Sequence, residues 1–90
     1  MLEINTSAQF RRDVKRIKKQ GLDTAPLKEA IALLAGELPL PRQARDHSLG
    51  GNWTDYRELH LAPDWLLIYR IDGGVLYLTQ TGSHSYLFGK

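Results

Sequence analysis

"RELHLAPDWLLIYRIDGGVLYLTQT", Arg57 to Thr81, decides the fold. Three runs rich in aromatic and β-branched residues, the first reaching back to Thr54, are separated by "APD" and "DGG", both strong turn signals. Strand-like runs this close together predict an antiparallel three-stranded meander. If "DGG" is a three-residue loop, Ile71 faces Val75, Trp65 faces Thr81 and Asp64 faces Gly82. If residues 61–64 form the earlier loop, His60 faces Trp65. On that register His60, Asp64 and the His84 of "GSH" meet at one end of the sheet. A slip of one or two residues leaves them at the same edge.

Working outward, "LEIN" (Leu2 to Asn5) can form a short N-terminal strand. Thr6 and Gln9 have the spacing of a capping box, which predicts a helix start. Phe10, Val14 and Ile17 recur at i, i+4 and i+7, while basic residues fill the other face. Gly21 closes this helix in the position that favours a left-handed residue. Asp23 or Thr24 caps a second helix with Pro26 in its first turn. Leu27, Ala30, Ile31 and Leu34 form its apolar stripe, and Pro39 and Pro41 require it to end by Gly36. Residues 37–52 read as an irregular polar crossover containing His47. A two-helix hairpin packed on one face of a meander is an α+β layer fold.

Ninety residues make one domain, 1–90, with one modest core. The 42% hydrophobic content fits a folded chain. With no cysteine, a disulfide framework and a thiolate zinc site are excluded. "MLEINTSAQF" lacks the apolar core of a signal peptide, and no run approaches the roughly 20 apolar residues of a membrane span. The expected location is therefore the cytoplasm, with no membrane partner. The net charge is only +2, yet "RRDVKRIKK" holds six of the twelve basic residues. Arg11, Arg12, Lys15, Arg16, Lys18 and Lys19 suit either a solvated helix face or a polyanion.

Three readings fit His60, Asp64 and His84. The carboxylate can cap a turn beside ordinary edge histidines. Imidazole and carboxylate can bind zinc or iron, although the spacing matches no ligand motif such as H-E-x-x-H. The third reading is acid–base chemistry, since imidazole accepts and donates protons near neutrality and a carboxylate orients it. No Cys and no Ser-centred elbow supports a covalent route. Nearby basic charge points to a phosphodiester. For RNA, one group deprotonates the 2′-hydroxyl, another protonates the leaving 5′-oxygen, and no metal or other cofactor is needed. Trp53 and Tyr69 read as core, whereas Tyr56 and Trp65 are also candidates for base stacking.

"DHSLGGNWTDYRELHLAPDWLLIYRI" and "LTQTGSHSYLF" together resemble the YafQ branch of the RelE/ParE superfamily of bacterial type II toxins. The likeness is closest in the second half of the chain. The first half shares the order of strand and two helices and the "LPLP" before the crossover. The resemblance implies a RelE-like fold and a ribosome-dependent mRNA endonuclease neutralised by a cognate antitoxin. Operator DNA would be met only through that antitoxin. By the same resemblance the catalytic set is His47, His60, Asp64 and His84, supported by Trp65 and Phe88. His84 takes the role of general acid, His60 and Asp64 position or activate the 2′-hydroxyl, and His47 binds the phosphate. The basic helix gains rRNA as a target, with an acidic antitoxin segment as the other candidate.

The chain departs from the family pattern at two positions. Glu58 stands where many relatives carry Asp, and Gln80 stands where they commonly carry Arg. Either Arg57 or Lys90 supplies the missing cation, or activity is reduced. The rival reading is a non-catalytic module, either an inactive antitoxin partner and co-repressor or a ParE-like gyrase inhibitor.

Overall fold

The computed structural model describes residues 1–50 and 55–89, without the side chain of Gln43. β1 (Glu3–Thr6) leads into α1 (Ala8–Lys19) and then α2 (Ala25–Ala35). A single 3₁₀ turn at Arg42–Ala44 precedes the short strand β2 (His47–Ser48). The meander consists of β3 (Arg57–Ala62), β4 (Trp65–Asp72) and β5 (Val75–Gly82), and α3 (His84–Phe88) follows it. Trp53, Thr54 and Lys90 lie outside the described residues.

The meander is the centre of a mixed sheet of order β1-β5-β4-β3-β2. β1 joins β5 in parallel, with Glu3 opposite Val75 and Thr6 opposite Leu78. Such a pairing needs a long connection, and here the helices and the meander intervene. At the other edge β2 pairs with β3 and sets His47 opposite Glu58. The crossover thus contains a strand, and the segment after "TGS" is a helix; neither element was expected.

One face of the sheet carries the helices. Leu59, Leu67, Tyr69, Leu76 and Leu78 pack there against Phe10, Leu27, Ala30 and Leu34. Leu66 and Ile68 alternate onto the opposite face, and both are 0% exposed. β4 is therefore covered on both sides, which is why "WLLIYRI" reads as a continuous apolar run. Among the described residues no helix is long and apolar enough to cross a membrane.

Several local expectations change. The cap of α1 is Ser7, whose Oγ accepts from the Phe10 N–H at 2.9 Å. Thr6 cannot serve, because it is still paired in β1, and Gln9 turns instead to Asp13 and Tyr86. Asp13 itself is fully buried beside Phe10 and Ile17 on the inner face of α1. Thr24 caps α2 without a side-chain bond, while Asp23 accepts from the Ala25 N–H at 3.0 Å.

The "DGG" loop contains two residues, not three. Gly73 and Gly74 have φ of 57° and 79°, and Asp72 pairs with Val75. Two successive positive-φ residues match the twist of a tight hairpin and favour glycine at both positions. A bulge after Ile68 shifts the register again, so Ile68 faces Gln80 and Leu66 faces Gly82. His60 faces Leu66, and Trp65 faces Ala62. The one- or two-residue slips preserve the shared edge.

Leu67 fills the centre of the helix-side core. Leu67→Ala is expected to destabilise the fold by about 3 kcal/mol, measured by urea unfolding. A loss below about 1 kcal/mol would contradict this packing.

Candidate active site

Register fixes the floor of the site. Cross-strand partners place His47, Glu58, Ile68 and Gln80 in one row, and His60, Leu66 and Gly82 in the next. The turn after β3 presents Asp64, and His84 opens α3 just beyond the end of β5. His60 consequently neighbours two other imidazoles. The His47 and His60 ring centroids are 6.1 Å apart, and those of His60 and His84 are 5.9 Å apart.

Two carboxylates serve these rings differently. Glu58 is buried, at 6% exposure. Its Oε1 lies 3.6 Å from the Nε2 atoms of both His47 and His60. Asp64 is exposed and binds the third ring. Its Oδ1 accepts from the His84 backbone N–H at 3.0 Å and lies 2.8 Å from His84 Nδ1. Those two hydrogen bonds, the backbone one foremost, hold the Asp64 pKa below its ordinary value of 3.8.

Partner chemistry fixes two tautomers. The ionised Asp64 carboxylate only accepts, so His84 carries a proton on Nδ1 and leaves Nε2 for other partners. His47 Nδ1 lies 2.8 Å from the Arg45 carbonyl, so it is likewise the donor and Nε2 faces Glu58. His60 differs. Its buried Nδ1 has no hydrogen-bond partner among the described residues. A buried polar atom left unpaired is costly, and this one belongs to the ring that neighbours both others.

A second network fixes the strand that carries His47. Arg57 Nε and Nη2 donate to Asp46 at 3.1 and 3.2 Å, and the Tyr69 hydroxyl donates to Asp46 at 2.5 Å. The Asp46 bond raises the Arg57 pKa, while burial, followed by the same carboxylate, pushes the Tyr69 phenol up. Arg57, a candidate substitute cation in the sequence, is thus held by Asp46. Gln80 holds its place in the site row, opposite Ile68.

The supporting aromatics have separate roles. Trp65 is half-buried against the core, and its Nε1 donates to Thr81 Oγ1 at 2.9 Å. Tyr69 is core, as expected, and Phe88 is partly buried in α3. Glu58, read from the sequence only as a departure from the family's Asp, lies within 3.6 Å of both His47 and His60. Asp46 was not singled out from the sequence, although it directly precedes His47 in "DHS". Asp13 was also missed; its spacing, three after Phe10 and four before Ile17, places it on the apolar stripe.

Glu58, His60 and His84 each offer one ligand atom, and the three atoms lie within 4.8 Å of one another. The same set can therefore hold a metal ion or pass protons.

Comparison with known proteins agrees along the whole chain. The sequence model of the family described as "Bacterial toxin of type II toxin-antitoxin system, YafQ" matches residues 2–89. The mRNA interferase toxin YafQ of Escherichia coli (strain K12) is 42% identical over 88 residues, covering 97% of this chain and 96% of the relative. The toxin in the E. coli DinJ–YafQ complex superposes with a TM-score of 0.92 at 41% identity, over 99% of this chain and 100% of that one. A metal-bound toxin from Helicobacter pylori gives a TM-score of 0.92 at 44% identity, over 98% of this chain and 100% of that one.

The depressed Asp64 pKa makes a linkage prediction. Its contribution to stability is present above the ordinary carboxylate value and is lost as pH falls through the lowered one. Thermal midpoints measured from pH 5 downward should show a shallower acid decline in Asp64→Asn than in the unaltered chain. Identical declines would contradict the Asp64–His84 pairing.

Proposed function

The chain belongs to the YafQ family of bacterial type II toxins, and we propose that it cuts mRNA on the ribosome by metal-independent acid–base catalysis. It is an mRNA interferase, an endoribonuclease. The observation that carries the mechanism is the group of three imidazoles backed by Glu58 and Asp64.

In-line displacement at phosphorus needs a base and an acid on opposite sides. The base and the acid are assigned to His47 and His84, whose ring centroids lie 6.1 and 5.9 Å from that of His60. His47, hydrogen-bonded through Nδ1 to the Arg45 carbonyl, takes the 2′-hydroxyl proton on Nε2. Glu58 beneath it stabilises the imidazolium that forms. The 2′-oxygen bonds to phosphorus while the bond to the 5′-oxygen breaks. His84 acts as the imidazolium: with its Nδ1–H held by Asp64, it gives its Nε2 proton to that leaving oxygen and keeps the Nδ1 one. The products are a 2′,3′-cyclic phosphate and a 5′-hydroxyl. Donation by His60 to the phosphate neutralises charge that Gln80 can only hydrogen-bond. This assignment exchanges the roles of His47 and His60 expected from the sequence and moves Asp64 from the hydroxyl to His84.

Ribosome contact falls to the exposed face of α1. Arg16 is bound to Asp13 and the Thr81 carbonyl, Arg11 to Thr6 and Arg12 to Gln9. The exposed Lys15, Lys18 and Lys19 are left as the main phosphate contacts, where neutralisation releases counterions. The partners are then mRNA and rRNA in the cytoplasm and a cognate antitoxin, as DinJ is for the E. coli toxin. Operator DNA is reached only through the antitoxin.

Expression of the unaltered chain should arrest growth, and mRNA on programmed ribosomes should be cut. His84→Ala and His60→Ala should each lower cleavage by about 100-fold or more while remaining folded. Undiminished arrest in both would exclude the endonuclease and favour a gyrase-directed or purely binding role. Gln80→Arg should keep or raise cleavage, because it adds a cation to the site row; a large loss with the fold intact would contradict that.

A further inference from the structure

Asp13 is the one fully buried carboxylate among the described residues, and the acid–base mechanism does not use it. Its oxygens collect four donors. Gln9 Nε2 donates at 2.8 Å, Arg16 Nη1 at 2.9 Å and the Thr81 backbone N–H at 3.1 Å. The fourth is the Tyr86 hydroxyl at 2.6 Å, which reaches across from α3. A charge buried this deeply is tolerable only because such donors replace the water it has lost.

Tyr86 ties this carboxylate to the site. It lies two residues beyond His84 in a helix of five residues, too short to hold its own geometry in water. α3 depends on anchors. At its start the Ser83 Oγ accepts from the Tyr86 N–H at 3.1 Å, and Asp64 accepts from the His84 N–H. On its flank the Arg16 guanidinium lies 3.6 Å from the centre of the Tyr86 ring, and the Tyr86 hydroxyl reaches Asp13. Gly82 makes room for this arrangement, since a Cβ there would meet Tyr86 Cδ2 at 2.7 Å and Arg16 Nη2 at 3.0 Å.

The same carboxylate holds the end of β5 through the Thr81 N–H. Thr81 Oγ1 in turn donates to the Leu66 carbonyl at 2.7 Å and accepts from Trp65. Asp13 therefore fixes α3 relative to the strand end beside which His60 stands. Proton transfer requires the acid to sit within hydrogen-bond reach of its target, and errors of about 1 Å reduce rates by as much as 100-fold.

We infer that Asp13 and Tyr86 form a latch that positions His84 for proton transfer, an inference that rests on the acid–base reading of the site. Both are positioning residues: they act through the seating of α3 and touch no substrate. The Asp13 carboxylate also pushes the Tyr86 phenol up, so the hydroxyl stays protonated and donating across the neutral range.

Tyr86→Phe in the full chain removes the hydroxyl and keeps the ring beneath Arg16. It should lower the thermal midpoint by only a few degrees. Turnover of mRNA on programmed ribosomes should fall about tenfold, with KM within about twofold. Hydrogen exchange at the His84 amide, followed by NMR, should quicken as its bond to Asp64 loosens. Gly82→Ala, which wedges α3 away while leaving Asp13 and Tyr86 intact, should reproduce both changes. Unaltered His84 exchange in Tyr86→Phe, or unchanged turnover despite quickened exchange, would overturn the latch. Absence of cleavage by the unaltered chain would overturn the endonuclease reading instead, and the His84 exchange alone would then decide whether the latch holds α3.

Discussion

The burial of β4 on both faces is the constraint on which the rest depends. Leu66, Leu67 and Ile68 are all 0% exposed. The helices cover one side of the strand, and the site region covers the other. On β3 only Leu59 enters the helix-side core, while its neighbours Glu58 and His60 face the other way. A slip of one residue in β3 would carry Glu58 and His60 into that core and turn Leu59 outward. The apolar core under β3 and β4 therefore sets the register of the candidate site residues. Register then aligns His47 with Glu58, and His60 with Leu66.

On that platform the two carboxylates separate by environment. Glu58 is enclosed and shared by two imidazoles. Asp64 stands in water, bound to one ring and one backbone N–H. It works mainly by fixing a tautomer and an orientation. Neighbouring carboxylates of contrasting surroundings are what acid–base chemistry requires at a single pH. A metal ion on Glu58, His60 and His84 would occupy the groups the mechanism needs and so compete with it.

Much of this was legible in the sequence because it follows from short-range rules. The period change at the meander, the glycine pair after Asp72 and the proline limits on the second helix are local signals, and each element formed where they point. The gathering of His60, Asp64 and His84 was also legible, since it follows from hairpin geometry and tolerates a small error in register. What the residues could not reveal depends on contacts between distant segments. Ser7 displaces Thr6 as the cap because β1 pairs with β5 across most of the chain. Asp13 has the spacing of the apolar stripe, but two of the partners that let it stay buried, Thr81 and Tyr86, arrive from 68 and 73 residues away. The commitment of Arg57 to Asp46 likewise appears only when β2 lies against β3. His47 reached the candidate site through family likeness alone, and Glu58 was given a minor role because its burial has no local signature.

The central claim is that protons, moved by side chains alone, cut the phosphodiester. The most direct test is the pH dependence of single-turnover mRNA cleavage on programmed ribosomes, with a chelator specific for transition metals present throughout. The account predicts a bell-shaped profile that the chelator leaves unchanged, set by one group that must accept a proton and one that must donate. Cleavage abolished by the chelator and restored by adding back a transition metal would contradict it.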